Sequence, residues 1–185
     1  MKNRVLLVDD EPNVLNALKR TLMDESLDIV TVTCPKKALH VLETQAFKVV
    51  VSDERMPEMS GSDFLSLVRK KHPDTIRMML TGHASLESTL KAVNCGEIYR
   101  FFLKPWNDLE IVLALRAAIE KYDLEAYNRR LLNTVRRQTQ EMKALEIKFP
   151  GISTVEKDSS GRVILPEVSD DEISRLITEC NDEFY

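Results

Sequence analysis

Three cysteines in 185 residues, Cys34, Cys95 and Cys180, are too few and too scattered for a disulfide framework or a CxxC metal site. The odd count, with no paired histidine nearby, predicts free thiols in a reducing cytoplasm. No apolar run approaches the roughly 20 residues that a membrane span needs. Met1-Lys2-Asn3-Arg4 leads into only four apolar residues, too few for a secretory leader. An excess of basic charge is also missing: the formal net charge is −4, which removes any global argument for nucleic acid or an anionic membrane. Proline and glycine are absent from Asn107 to Phe149, so nothing there would stop a helix. What is present, 43% hydrophobic and 30% charged residues, fits a soluble globular chain with room for one ordinary domain and something small.

Residues 1 to about 122 alternate short apolar runs with amphipathic stretches. Strands are expected at 4–8, 28–33, 48–52, 76–80 and 98–103, and helices at 12–23, 35–45, 61–71, 84–95 and from about 107 onward. Pro12 and Pro35 sit where a first helical turn tolerates them, and Ser85 and Asn107 precede acidic first turns. The regular alternation implies right-handed crossovers and a doubly wound five-stranded parallel sheet, an α/β fold, with 5–8 and 49–51 as its most buried strands.

Several apolar runs end in reactive groups. Val5-Leu6-Leu7-Val8 is followed by Asp9-Asp10-Glu11, Val49-Val50-Val51-Ser52 by Asp53, the run at 76–80 by Thr81, and Arg100-Phe101-Phe102-Leu103 by Lys104-Pro105. Open α/β sheets place their chemistry at the carboxyl ends of the strands. Three carboxylates with an open side suit Mg²⁺, which takes oxygen ligands and keeps several waters. A carboxylate can attack phosphorus, with a lysine and a hydroxyl neutralising phosphoryl oxygens. Any one of these residues could simply cap a strand or join a surface ion pair. Five of the right types at the ends of four strands point to phosphoryl chemistry.

The motifs Val8-Asp9-Asp10-Glu11, Ser52-Asp53-Glu54-Arg55-Met56-Pro57-Glu58-Met59-Ser60-Gly61, Leu80-Thr81-Gly82-His83-Ala84 and Leu103-Lys104-Pro105-Trp106 together resemble the receiver domains of two-component response regulators. The likeness spans 4–122 and implies a flavodoxin-like receiver fold. It implies that Asp53 accepts a phosphoryl group from a histidine kinase or phosphotransfer protein. Asp9, Asp10, Asp53 and the Arg55 carbonyl would hold Mg²⁺, and Thr81 and Lys104 would contact the phosphoryl oxygens. Phe101 would act with Thr81 as the switch, and Arg55 and His83 would tune the lifetime of the phosphorylated state. Such a domain assists only its own phosphorylation and dephosphorylation. The stretches Pro73-Asp-Thr-Ile-Arg and Glu97-Ile-Tyr-Arg-Phe-Phe-Leu-Lys-Pro-Trp106 are most similar to receivers attached to HD-GYP cyclic-di-GMP phosphodiesterases and to hydrogenase regulators. No HD-GYP, GGDEF, helix-turn-helix or P-loop motif follows here, so the output of those relatives does not carry over.

A helix running uninterrupted from about 107 to 149 would be roughly 60 Å long, about twice what packing on a sheet can use. Residues 123–149 are expected to form a helical linker. Its heptad positions carry Leu124, Leu131, Gln138 and Leu145, and Asn128, Val135, Met142 and Phe149, which predicts a two-stranded coiled coil and a homodimer. A solvated helix, or one folded back on the domain, is the plainer alternative. Residues 150–185 read as a small α+β tail: a hairpin around Lys157-Asp-Ser-Ser-Gly161, then a capping box at Ser169-Asp170-Asp171-Glu172 opening a short helix. From Glu167 onward seven acids face one arginine.

The expected function is a cytoplasmic, phosphorylation-controlled signalling module that switches protein contacts or dimerisation through 84–120 and the long helix, toward a downstream protein the sequence does not name. A nucleic-acid regulator using Arg129, Arg130, Arg136 and Arg137 is the alternative, weakened by interleaved acids and the acidic tail. An aspartyl-phosphate phosphatase is weaker still, since Asp9-Asp10-Glu11-Pro12 lacks the usual Asp-x-Asp spacing and no cap segment is visible.

Overall fold

The computed structural model describes residues 3–82, 98–149 and 160. The helix expected at 84–95, His83, and the tail elements expected in 150–185 lie outside these residues. Five strands are described: β1 (Arg4–Val8), β2 (Asp28–Val32), β3 (Val49–Asp53), β4 (Ile76–Thr81) and β5 (Arg100–Leu103). They alternate with α1 (Pro12–Thr21), α2 (Pro35–Thr44) and α3 (Gly61–Lys71), and after β5 comes the long helix α4 (Asp108–Lys148).

All strand pairs are parallel, in the order β2-β1-β3-β4-β5. The order reverses between β1 and β3, the kind of switch point at which open α/β sheets bind ligands. β3 is buried throughout and β1 from Val5 to Val8, because neither run has a polar interruption and both faces are covered. On one face Val5, Leu7, Val49, Val51, Met78 and Leu80 pack with Leu15 and Leu18 of α1 and Ile111, Ala114 and Leu115 of α4. On the other, Leu6, Val8, Val50 and Met79 pack with Ala38 and Leu42 of α2 and Phe64, Leu65 and Val68 of α3. Successive strand residues divide between the two cores, as a period of two requires.

Pro12 and Pro35 open their helices without a side-chain cap, since proline has no N–H to satisfy. The other starts are capped by polar side chains. Ser60 Oγ accepts from Asp63 N at 3.1 Å, and Asn107 Oδ1 accepts from Glu110 N at 3.2 Å. Helix α1 stops at Thr21, two residues short of the expected limit, while Leu22 is still fully buried.

The chain divides into two units, Met1–Leu131 and Leu132–Tyr185. The first contains the sheet and the buried part of α4, which ends at Ile119. In the second, Val135, Met142, Leu145, Ile147 and Phe149 are exposed. Among the described residues no helix is long and apolar enough to cross a membrane.

Candidate functional site

Parallel register sets the site. Val8 lies opposite Ser52, so the next residues, Asp9 and Asp53, leave adjacent strands side by side at the carboxyl edge. Thr81, at the end of β4, pairs with Leu103, which brings Lys104 to the same edge. Asp9, Asp53 and Thr81 are all buried. Lys104 Nζ donates to Asp9 Oδ2 at 2.7 Å and lies 2.6 Å from Asp53 Oδ1. Backbone amides take the other two carboxylate oxygens: Glu11 N donates to Asp9 Oδ1 at 2.9 Å and Arg55 N to Asp53 Oδ2 at 2.6 Å. The Lys104–Pro105 peptide is cis.

One ammonium thus serves two buried carboxylates. Burial pushes the Asp9 carboxyl above its ordinary value, and the bonds from Lys104 and the Glu11 amide only partly offset that. For Lys104 burial works against the charged form, yet its bonds to Asp53 and Asp9 outweigh this and hold it above the ordinary lysine value. Burial thus sets the direction at Asp9, whereas the two carboxylate partners set it at Lys104. Half-buried Asp10, beside Asp9, adds a further acid at this edge.

The donor set fits a hard divalent cation, since it is all oxygen and carries uncompensated negative charge. Among the described residues no three acidic, cysteine or histidine side chains enclose a point. The two carboxylates that face each other do so across Lys104, so their shared centre is held by its ammonium.

Of the other expected site residues, Arg55 is exposed, with its amide on Asp53. Phe101 is half-buried against the α2–α3 side of the sheet, whereas Phe102 belongs to the opposite core. His83 lies outside the described residues.

Two positioning residues, Gly61 and Glu54, stand inside the 52–61 motif, where the sequence assigns them no role of their own. A Cβ on Gly61 would overlap the Asp53 carbonyl oxygen and come within 2.8 Å of the carbonyl carbon and 2.9 Å of Glu54 Cα. Helix α3 can therefore begin against the end of β3 only because this residue has no side chain. Glu54 fastens the same junction: Oε2 accepts from Ser62 N at 2.8 Å and Oε1 from Ser62 Oγ at 3.0 Å. A glycine directly after a serine cap was the available clue for Gly61. For Glu54 the motif gave no hint of its partner Ser62, eight residues on.

Residues 5–116 match the response regulator receiver domain family. The hydrogenase transcriptional regulatory protein HoxA of Cupriavidus necator is 36% identical over 127 residues, covering 69% of this chain and 26% of that protein. The chain spans about a quarter of the length of the curated relatives it matches. The receiver domain of an HD domain-containing protein from Pseudomonas fluorescens Pf-5 superposes with a TM-score of 0.65 at 34% identity, covering 68% of this chain and 93% of that one. The beryllofluoride-activated NtrC4 receiver domain, solved as a dimer, gives 0.61 at 30% identity, over 65% and 98%. With its carboxylate–lysine cluster at the switch point of a 2-1-3-4-5 sheet, the chain belongs to the receiver domains of two-component response regulators.

Proposed function

We propose that Asp53 is the phosphoryl acceptor and that Asp9, Asp10, Asp53 and the Arg55 carbonyl bind Mg²⁺. The observation that carries this is the charge deficit at Asp9 and Asp53, two buried anions sharing one ammonium. A carboxylate oxygen of Asp53 attacks phosphorus, forming a P–O bond as the P–N bond to the donor histidine breaks. Bound Mg²⁺ supplies charge that brings the phosphoryl group and the acidic site together. Lys104, freed from one carboxylate, donates to a phosphoryl oxygen, and the Thr81 hydroxyl donates to another. Arg55 and His83 set how readily water reaches the phosphoryl group, and the chain catalyses no reaction beyond its own phosphorylation and dephosphorylation.

The output is a change of protein contacts. Movement of Thr81 toward the phosphoryl group draws Phe101 inward and alters the face formed by 84–120. On that face Tyr99, Leu103, Leu109 and Leu113 are exposed, and a cleft of about 540 Å³ is bordered by Phe101, Leu103, Trp106 and Glu110. These apolar groups suit a second copy or a downstream protein, and the NtrC4 receiver is a dimer when activated. Nothing favours a nucleic-acid role: Arg129 is paired with Asp74 at 3.0 Å and Arg137 with Glu141 at 3.6 Å.

Light scattering with Mg²⁺ alone and then with Mg²⁺ plus beryllofluoride tests the reading. A change in mass or in the mobility of the 84–120 face is expected, and it should vanish in Asp53→Ala. A response that survives Asp53→Ala would overturn the assignment.

A further inference from the structure

Glu54 directly follows Asp53 and is half-buried. In an acidic site such a residue is a candidate oxygen ligand, and its charge adds to that of Asp9, Asp10 and Asp53. The structure commits its carboxylate elsewhere. Oε2 accepts from Ser62 N at 2.8 Å and Oε1 from Ser62 Oγ at 3.0 Å. The main chain of Glu54 is engaged as well: its amide donates to Leu80 O at 2.9 Å, and its carbonyl accepts from Gly61 N at 2.9 Å. One residue thus ties the end of β3 to β4, one position before Thr81, and to the first turn of α3. On its two sides stand Asp53 and Arg55, and the Arg55 amide holds Asp53 Oδ2 at 2.6 Å.

The side-chain bonds of Glu54 are not needed to start the helix. Ser60 and Asp63 already cap each other: Asp63 N donates to Ser60 Oγ at 3.1 Å, and Ser60 Oγ lies 2.7 Å from Asp63 Oδ2. What the Glu54–Ser62 pair adds is a bridge across the base of the loop that joins β3 to α3. Gly61 lets α3 begin against the Asp53 carbonyl, and the bridge holds it there. We infer that Glu54 is a positioning residue for phosphoryl transfer, a role that rests on Asp53 being the acceptor. Its bridge to Ser62 fixes the Asp53–Arg55 stretch, and with it the attacking carboxylate, relative to Thr81 and Lys104. Attack on phosphorus tolerates little displacement, since misplacing a reacting group by about 1 Å can cost roughly 10²-fold in rate. The work of Glu54 is geometric, not electrostatic. Glutamine preserves it, because its carbonyl accepts from Ser62 N and its amide donates to Ser62 Oγ, a hydroxyl that can donate or accept.

Phosphorylation of the full chain by acetyl phosphate with Mg²⁺, followed by intact mass, tests this. Asp53 forms a P–O bond as the bond from phosphorus to the acetate oxygen breaks and acetate leaves with the electron pair. Glu54→Ala should slow the reaction about tenfold, while Glu54→Gln should proceed at close to the wild-type rate. Amide exchange in β1 and β3 should match wild type in both variants, and the Ser62 amide should exchange faster in Glu54→Ala alone. Ser62→Ala removes one of the two bonds from the α3 side and should slow the reaction by about threefold. It carries the test by itself if Glu54→Ala does not fold. A glutamine variant as slow as alanine would show that charge, not geometry, is what Glu54 supplies, and would overturn the proposal. Wild-type rates in Glu54→Ala and Ser62→Ala would overturn it too. Asp53→Ala tests the underlying assignment separately: it should gain no phosphoryl mass, and a gain there would refute Asp53 as acceptor whatever the Glu54 variants do.

Discussion

Two lysines paired with carboxylates stand at opposite ends of the sheet, and only one of them lies in the candidate site. Lys104, at the carboxyl edge, bridges Asp9 and Asp53, whose side chains are 1% and 6% exposed. Lys48, beside the amino end of β3, donates to both oxygens of Asp123 at 2.6 Å and to Asn3 Oδ1 at 2.8 Å. There the lysine is the buried partner, 7% exposed, and Asp123 is 54% exposed. Three acceptors satisfy three ammonium protons, and the one carboxylate involved keeps half its surface in water. The Lys48 cluster is neutral and saturated, a clasp that holds α4 to the sheet. The Lys104 cluster is short of positive charge and has its anions sealed from solvent. A lysine–carboxylate contact is therefore no sign of function by itself; the charge balance and the identity of the desolvated partner distinguish the two.

Removing each lysine in turn separates the two clusters most strongly. Lys104→Met leaves two buried carboxylates without a counter-ion and should destabilise the fold by about 3–5 kcal/mol. Millimolar Mg²⁺ should restore part of that loss in denaturant titrations; a loss indifferent to Mg²⁺ would contradict the charge-deficit account. Gly61→Ala should cost about 1–3 kcal/mol through overlap with the Asp53 carbonyl. It should also weaken beryllofluoride binding, while amide exchange around Lys48 stays at the wild-type rate. Lys48→Met should cost only about 1–2 kcal/mol, because Asp123 rehydrates, and this loss should not respond to Mg²⁺.

The smallest effect concerns Arg116, whose bonds to Glu25 at 2.6 and 2.9 Å hold that half-buried carboxyl below its ordinary value of 4.5. A carboxyl depressed in the folded state adds stability above its unfolded value and loses it as pH falls through the folded one. The Tm deficit of Arg116→Gln should therefore be present at neutral pH and shrink as the solution is taken below about pH 4.5. A deficit independent of pH would show that Arg116 acts by packing alone.

The strand and helix pattern was legible because each element announces itself locally. Unbroken apolar runs marked β1 and β3, and Pro12, Pro35 and Asn107 marked helix starts that the structure retains. The site residues were legible as charged groups at the ends of those runs. Gly61 as a steric requirement and Lys48 as a clasp were not, because both meanings lie in partners remote in sequence: Lys48 and Asp123 are 75 residues apart.

Local pattern was enough for the alternation of strands and helices, for Asp9, Asp53, Thr81 and Lys104 at the carboxyl ends of their strands, and for an uninterrupted α4, since periodicity and the placement of proline and glycine act over a few neighbouring residues. That Asp9 and Asp53 share a single ammonium, and that α3 starts in contact with the Asp53 carbonyl, became visible only in the folded chain. Those facts depend on the parallel register of β1, β3 and β4 and on burial, which no short stretch of chain encodes.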